Sequence, residues 1–258
     1  DLTPDNLNAA QLVITSFVLG MVLGTMVAGP LSDAFGRKPV ILAGAALYIA
    51  AAAAAAVAQS LEIFLAARVL QGLGASGPRV VALAIIRDLY SGRGMARIMS
   101  FVMMVFTLVP ALAPSIGAVV IALFGWRAIF VAFILFALIA SLWLALRLPE
   151  THPPEARQPL RLSVLSRALA EVFANPVVRL SIGVQTLSFA MLFSFLSSTQ
   201  QIFDLTFGQG DTFHLWFGAI AVVSASGSLL NARIVMRLGM QAVVRQTLVA
   251  QVALSGLF

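Results

Sequence analysis

Arg68 and Arg79 stand eleven residues apart in a stretch otherwise rich in Gly, Ala, Val and Leu. If that stretch is helical, three turns return both to one face about 16 Å apart, with Gly72 and Ala75 between them. A guanidinium is a permanent cation with a fork of donors, so its chemistry is to hold an anion, orient a carboxylate or bias a neighbouring proton. Ten acidic residues could answer it, yet every one sits at the end of an apolar segment or in a connection. The countercharge is therefore expected from further helices, from an anionic substrate, or from both. Snorkelling to a polar headgroup is the competing account, and it is stronger for Arg79 than for Arg68.

A second gathering of charge lies in "GPLSDAFGRKP", residues 29–39. Gly29 and Gly36 permit a tight turn, and Asp33, Arg37 and Lys38 can hold neighbouring helix ends together. A topogenic signal alone would need only Arg37 and Lys38. "PALAP" places Pro110 and Pro114 on one helix face, with Gly117 close by. Prolines free backbone carbonyls and bend a helix, so a hinge is expected there; plain tolerance of Pro in membrane helices is the other reading. Residues 176–202 are unusually polar, with Gln185, Thr186, Ser188, Ser194, Ser197 and Thr199 among Phe189, Phe193 and Phe195. Such a mixture suits a wet cavity wall, or hydrogen bonds between helices.

Other chemistries are excluded. "GLGASG" at Gly72–Gly77 satisfies G-x-G-x-x-G on paper but follows no strand and has no acid about 20 residues on to hold a ribose. His152 and His214 are isolated, cysteine is absent, and neither a Walker loop nor a nucleophile elbow occurs. No metal, cofactor or enzyme chemistry is expected.

The elements that must position these residues follow from composition. Of 258 residues, 60% are hydrophobic and only 10% charged, against about 25% charged in a soluble domain. Charge-free stretches cover 6–32, 39–61, 98–126, 128–146, 180–203 and 212–232, each near or above the roughly 18–20 residues that cross a bilayer as a helix. The expected fold is an all-α polytopic membrane bundle, with helices near 9–31, 39–58, 62–86, 97–124, 127–147, 176–202 and 212–236 and a partial one from 242. A barrel is disfavoured because the runs do not alternate.

The net charge of +6 would hint at nucleic acid in a soluble protein, but thirteen of the sixteen basic residues fall in alternate connections. That is the positive-inside pattern, which puts those connections in the cytoplasm and accounts for the basic charge with no nucleic-acid partner. Residues 1–147 read as one helical half and 176–258 as a second. The Pro-rich segment 148–175 joins them and ends in an amphipathic helix, Leu162, Leu165, Leu169, Val172 and Phe173 sharing a face and Arg167 within reach of Glu171. "DAFGRKPV" and "MRLGMQAV", with Gly36 and Gly239 in matching positions, suggest a repeat of the kind many secondary transporters carry. The chain starts at Asp and stops inside an apolar run, so it is expected to be a piece of a longer protein.

These motifs resemble those of the major facilitator superfamily, most closely its bicyclomycin-resistance type of drug:proton antiporters. "GPLSDAFGRKP" resembles the turn between that family's second and third helices. "RVLQGLGA" from Arg68 resembles the fourth-helix motif, "RDLY" from Arg87 its end, "APSIGA" from Ala113 the fifth-helix antiporter motif, and "GWRAIF" from Gly125 the start of the sixth helix. The resemblance implies two pseudo-symmetric six-helix halves, of which about helices two to nine are present. It implies that Asp33, Gly36, Arg37 and Lys38 form a gating turn and that Arg68 assists proton coupling near an acid on the first helix. Ala34 departs from the family's usual basic residue, Ala113 and Ala118 stand where Gly is typical, and Leu83 replaces an arginine common in the subgroup.

The expected function is therefore a monomeric secondary transporter that exports small, amphipathic or cationic compounds in exchange for protons by alternating access. Arg68, Gln71, Arg79, Gln185 and Ser188 are the residues expected to serve proton coupling and the substrate cavity. An exporter of an endogenous metabolite on the same fold is the alternative. A polytopic lipid-modifying enzyme would need clustered nucleophiles that are not seen.

Overall fold

Long apolar runs punctuated by Gly, Ser and Asn give helices whose ends have local causes. Helix α1 spans Ala9–Phe35, α2 Arg37–Val57, α3 Leu61–Leu89, α4 Gly92–Phe124, α5 Arg127–Arg147, α6 Leu162–Ala174, α7 Pro176–Leu205 and α8 Met240–Ser255, with a 3-10 turn at Pro154–Ala156. The computed structural model describes residues 9–157, 159–160, 162–209, 212–213, 215–220, 223, 234 and 238–256. The segment expected at 212–236 lies mostly outside these. Ser60 caps α3 by accepting from the Ile63 amide, and Asn175 caps α7 by accepting from Val177 and Val178, with Pro176 at the first helical position.

Two expectations are corrected. The connection left between helices expected to end near 31 and begin near 39 is shorter: α1 continues to Phe35, α2 starts at Arg37, and the tight reversal falls on Gly36 at φ 102°. Helix α4 begins at Gly92 rather than near 97 and runs unbroken across positions 110 and 114. Gly239, at φ 80° and ψ 156°, precedes α8 as Gly36, at φ 102° and ψ 157°, precedes α2.

Helix α3 is the axis of the bundle, packed between α1 and α2, while α5 lies against α2 and α4 touches α3 only lightly. Close approach depends on glycine. A Cβ on Gly20 would collide with the Val69 carbonyl, and one on Gly72 with the Phe17 carbonyl, so α1 and α3 meet backbone to backbone. On the opposite face Pro78 leaves the Gly74 carbonyl without its helical donor. That oxygen sits against Gly44 of α2, where a Cβ would lie 2.8 Å from it. Ala52, Ala55, Ala58, Phe64, Ala67 and Phe130 close the core between α2, α3 and α5.

Most remaining apolar surface faces outward, including Phe136, Trp143 and Leu146 of α5. Among the described residues α1, α2, α3, α5 and α7 are each long and apolar enough to cross a membrane. In water such exposure would be ruinous; in lipid the tails solvate it and small-residue packing supplies the association.

Replacing Gly72 by Val should force α1 from α3 and cost about 1–3 kcal/mol, the usual scale of overpacking. The thermal midpoint of the detergent-purified protein reads this directly. Gly183→Ala, where nothing lies within 4 Å of an added Cβ, should not lower that midpoint.

Candidate functional site

Two polar clusters lie on these helices. The first gathers at Gly36. Arg37 is 8% exposed, and its guanidinium makes three hydrogen bonds. Nε donates to Asp88 Oδ2 at 3.1 Å, and Nη1 donates to Ser32 Oγ at 2.7 Å and to Asp33 Oδ1 at 2.5 Å. Ser32 Oγ in turn donates to the Gly29 carbonyl at 2.8 Å. Gly29 therefore belongs to the cluster through its carbonyl, from inside α1 rather than from the turn. Lys38 Nζ donates to the Ala145 carbonyl at 2.7 Å. One arginine and one lysine thus bind together the ends of α1, α2, α3 and α5.

Sequence reasoning missed the acid that completes this cluster. Glu150 Oε1 accepts from the Arg37 amide at 3.0 Å and from the His152 amide at 2.9 Å, and Oε2 accepts from the Lys38 amide at 3.2 Å. It is an N-cap for α2 supplied from 113 residues away. A side chain at Gly36 would be strained by its φ of 102°, and its Cβ, 2.6 Å from Glu150 Oε2, would push the carboxylate off the cap. Burial draws the Glu150 carboxyl upward, but the amide donors of His152, Arg37, Lys38 and Thr151 outweigh it and hold the group below its ordinary value. The available signal was an acid directly after the α5 run, opposite a basic turn.

The second cluster lies within the bundle. Arg68 does not snorkel to a helix end. Its Nη1 donates to Gln71 Oε1 at 2.7 Å and its Nε to the Val13 carbonyl at 3.4 Å, and the guanidinium sits 4.5 Å from the Phe17 ring centroid and 6.0 Å from that of Phe130. Phe64, Trp126 and Phe130 stack edge to face behind it. Gln71 is fully buried, and its Nε2 lies beside the Tyr48 phenol without hydrogen-bond geometry. Tyr48 also lines a largely apolar cavity of about 270 Å³ between α2, α3 and α5, with Ala75, Pro78, Phe136 and Ser141. A cation is thus held in the interior by a carboxamide, a carbonyl and two rings. Phe17, Tyr48 and Phe130 were not singled out from sequence, because isolated aromatics in apolar runs carry no spacing signal.

Arg79 is apart from Arg68 and exposed, with Nη1 3.3 Å from Met21 Sδ and the guanidinium 5.6 Å from the Phe106 ring. Gln185 and Ser188 are not brought to either arginine. Both are exposed on α7, and Ser188 Oγ donates to the Val184 carbonyl of its own helix at 2.9 Å, which satisfies it locally. The described contacts of α7 are with α6 and, through Met191 and Gln251, with α8. A Cβ on Gly117 would meet nothing within 4 Å. Arg167 and Glu171 form no ion pair; among the described residues ion pairs involve Arg37 with Asp33 and Asp88.

Comparisons with known proteins bear on the family and the fold. A sequence model described as the Major Facilitator Superfamily matches residues 5–258. The chain is 33% identical over 259 aligned residues to a bicyclomycin resistance protein homolog of Haemophilus influenzae, covering 100% of this chain and 64% of that protein. It is 40% identical over 144 residues to a chloramphenicol resistance protein of Pseudomonas aeruginosa, covering 55% of this chain and 34% of the other. A solved D-xylose-proton symporter shares the fold at TM-score 0.66 and 16% identity, over 89% of this chain and 59% of that one. The chain thus spans less than two thirds of the length of these relatives.

Removing the Glu150 charge should weaken the α2 cap by about 1–2 kcal/mol. Because the folded carboxyl is held low, its stabilisation is complete above the unfolded value near 4.3 and is lost as pH falls through the lower folded value. The gap in thermal midpoint between the protein and Glu150→Gln should therefore be constant near neutrality and close in strong acid.

Proposed function

The chain belongs to the major facilitator superfamily, and on that premise we propose that it works as part of a proton-coupled exporter of small drug-like compounds. Residues 1–147 and 176–258 supply two helical halves, joined by 148–175, that rock about a central path and expose it alternately to the two sides. The protein is a monomer of a bacterial inner membrane, with the Gly36 end in the cytoplasm. The names of its relatives, resistance proteins for bicyclomycin and chloramphenicol, favour drug-like substrates.

The observation that carries this reading is the state of Arg68. A guanidinium in the interior of a membrane bundle is costly, and such residues mark ion and substrate pathways. Arg68 donates hydrogen bonds to Gln71 and Val13 but meets no carboxylate among the described residues. An acid reaching it would bind more tightly ionised than protonated, so arrival and departure of a proton would change the energy of that contact. Gln71 fixes the orientation of the guanidinium. Gln185 and Ser188 of α7 line the second half's share of the path.

The cluster of Gly29, Asp33, Gly36, Arg37 and Lys38 acts as a latch. Its bonds tie four helix ends together in one state and must loosen in the other, while Pro110, Pro114 and Gly117 provide the place where α4 bends.

Arg68→Ala in the full-length protein should abolish proton-driven efflux from proteoliposomes while leaving membrane insertion intact. Unchanged efflux with an imposed proton gradient would reject the role.

A further inference from the structure

The three arginines whose surroundings are described above differ in how their charge is answered. Arg37 has two carboxylates, Asp33 and Asp88. Arg68 has a carboxamide, a carbonyl and two rings. Arg79 has a thioether and one ring, Met21 Sδ at 3.3 Å and the Phe106 centroid at 5.6 Å. Sulfur is a weak acceptor and an arene a diffuse one, so most of the guanidinium's directed donors face open space.

Depth makes this informative. Helix α3 ends at Leu89, ten residues past Arg79, which at 1.5 Å per residue is about 15 Å of helix. The side chain is not directed along the axis to that end. It reaches sideways, to Met21 of α1 and Phe106 of α4, where the light contact between α3 and α4 leaves the face open. Intramembrane cations persist where water or an anion can meet them. No acid of this chain lies within an apolar segment.

We propose that Arg79 selects the charge of the transported compound. It takes the carboxylate or other acidic group of an amphiphilic organic anion, whose apolar body rests on Met21 and Phe106, and it disfavours lipophilic cations. The inference rests on the reading that the α1–α3–α4 face borders the substrate path, and it replaces the cationic preference expected from sequence. Bidentate geometry suits a planar carboxylate, and the thioether and arene supply the apolar contacts an attached ring needs. A carboxylate of the same chemistry could instead come from a further helix of the whole protein.

The test uses three naphthyl probes on the full-length protein: 1-naphthylacetate, its neutral amide and 1-naphthylethylamine. Equilibrium binding is followed by fluorescence polarisation and proton-driven transport in proteoliposomes. The unaltered protein should bind the acetate ahead of the amine. In Arg79→Gln the ratio of acetate to amide dissociation constants, and the matching KM ratio, should rise about tenfold to a hundredfold, the value of one charged hydrogen-bonded contact. Arg79→Lys should keep much of the preference. Equal weakening of all three probes would assign Arg79 to an acid of the protein itself and overturn the proposal, as would binding that ignores charge in the unaltered protein. Charge-selective binding without proton-driven transport would instead leave the proposal standing and sink the exporter reading.

Discussion

Hydrocarbon offers no partner to a polar atom, and this constraint governs every part of the molecule that is not plain packing. Hydroxyls on α1, α4 and α7 turn back to carbonyls one helical turn earlier, as Thr15, Thr25, Ser100, Ser181 and Ser188 show. Carbonyls at the end of α2 are met by Arg127, whose Nε donates to Ala56 at 3.1 Å and Nη2 to Ala58 at 3.3 Å, a cation at the helix end where the dipole favours it. The opposite end of α2 receives Glu150, an anion where the dipole favours that. Helix α2 thus has a complementary charge at each terminus besides its packing on α3 and α5.

Much of the fold was legible because lipid imposes a simple code. Charge-free runs of bilayer length gave α1, α2, α5 and α7 to within a few residues, and α3 was legible as an apolar run although Arg68 and Arg79 interrupt it. The misplaced boundaries have a common origin. The knot at 32–38 and the start of α4 contain charged and small residues that look like loop in an apolar chain, yet Asp33, Arg93 and Arg97 sit in helix. Composition measures how far a residue dislikes lipid, and a helix extending past the hydrocarbon has no reason to stop there.

The polar clusters were legible only in part. Asp33, Arg37 and Lys38 announced themselves through proximity in sequence, and Arg68 through its isolation in an apolar run. Their partners Glu150, Asp88, Phe17, Tyr48 and Phe130 are separated from them by tens of residues, and which helices become neighbours is a tertiary fact. Gln185 and Ser188 are a different case: polarity in a span suggests a shared cavity, and the bond from Ser188 to the Val184 carbonyl of its own helix could not be read from that polarity.

Gly36 and Gly239 adopt nearly the same backbone shape, yet the residues after them differ: Arg37 and Lys38 in the first case, Met240 and Gln241 in the second. Shape at these corners is set by a glycine torsion, whereas grip is set by ionised side chains, and the two are separable. Ionic strength can consequently loosen the first corner while the second stays indifferent, so a duplicated architecture need not respond symmetrically to its surroundings.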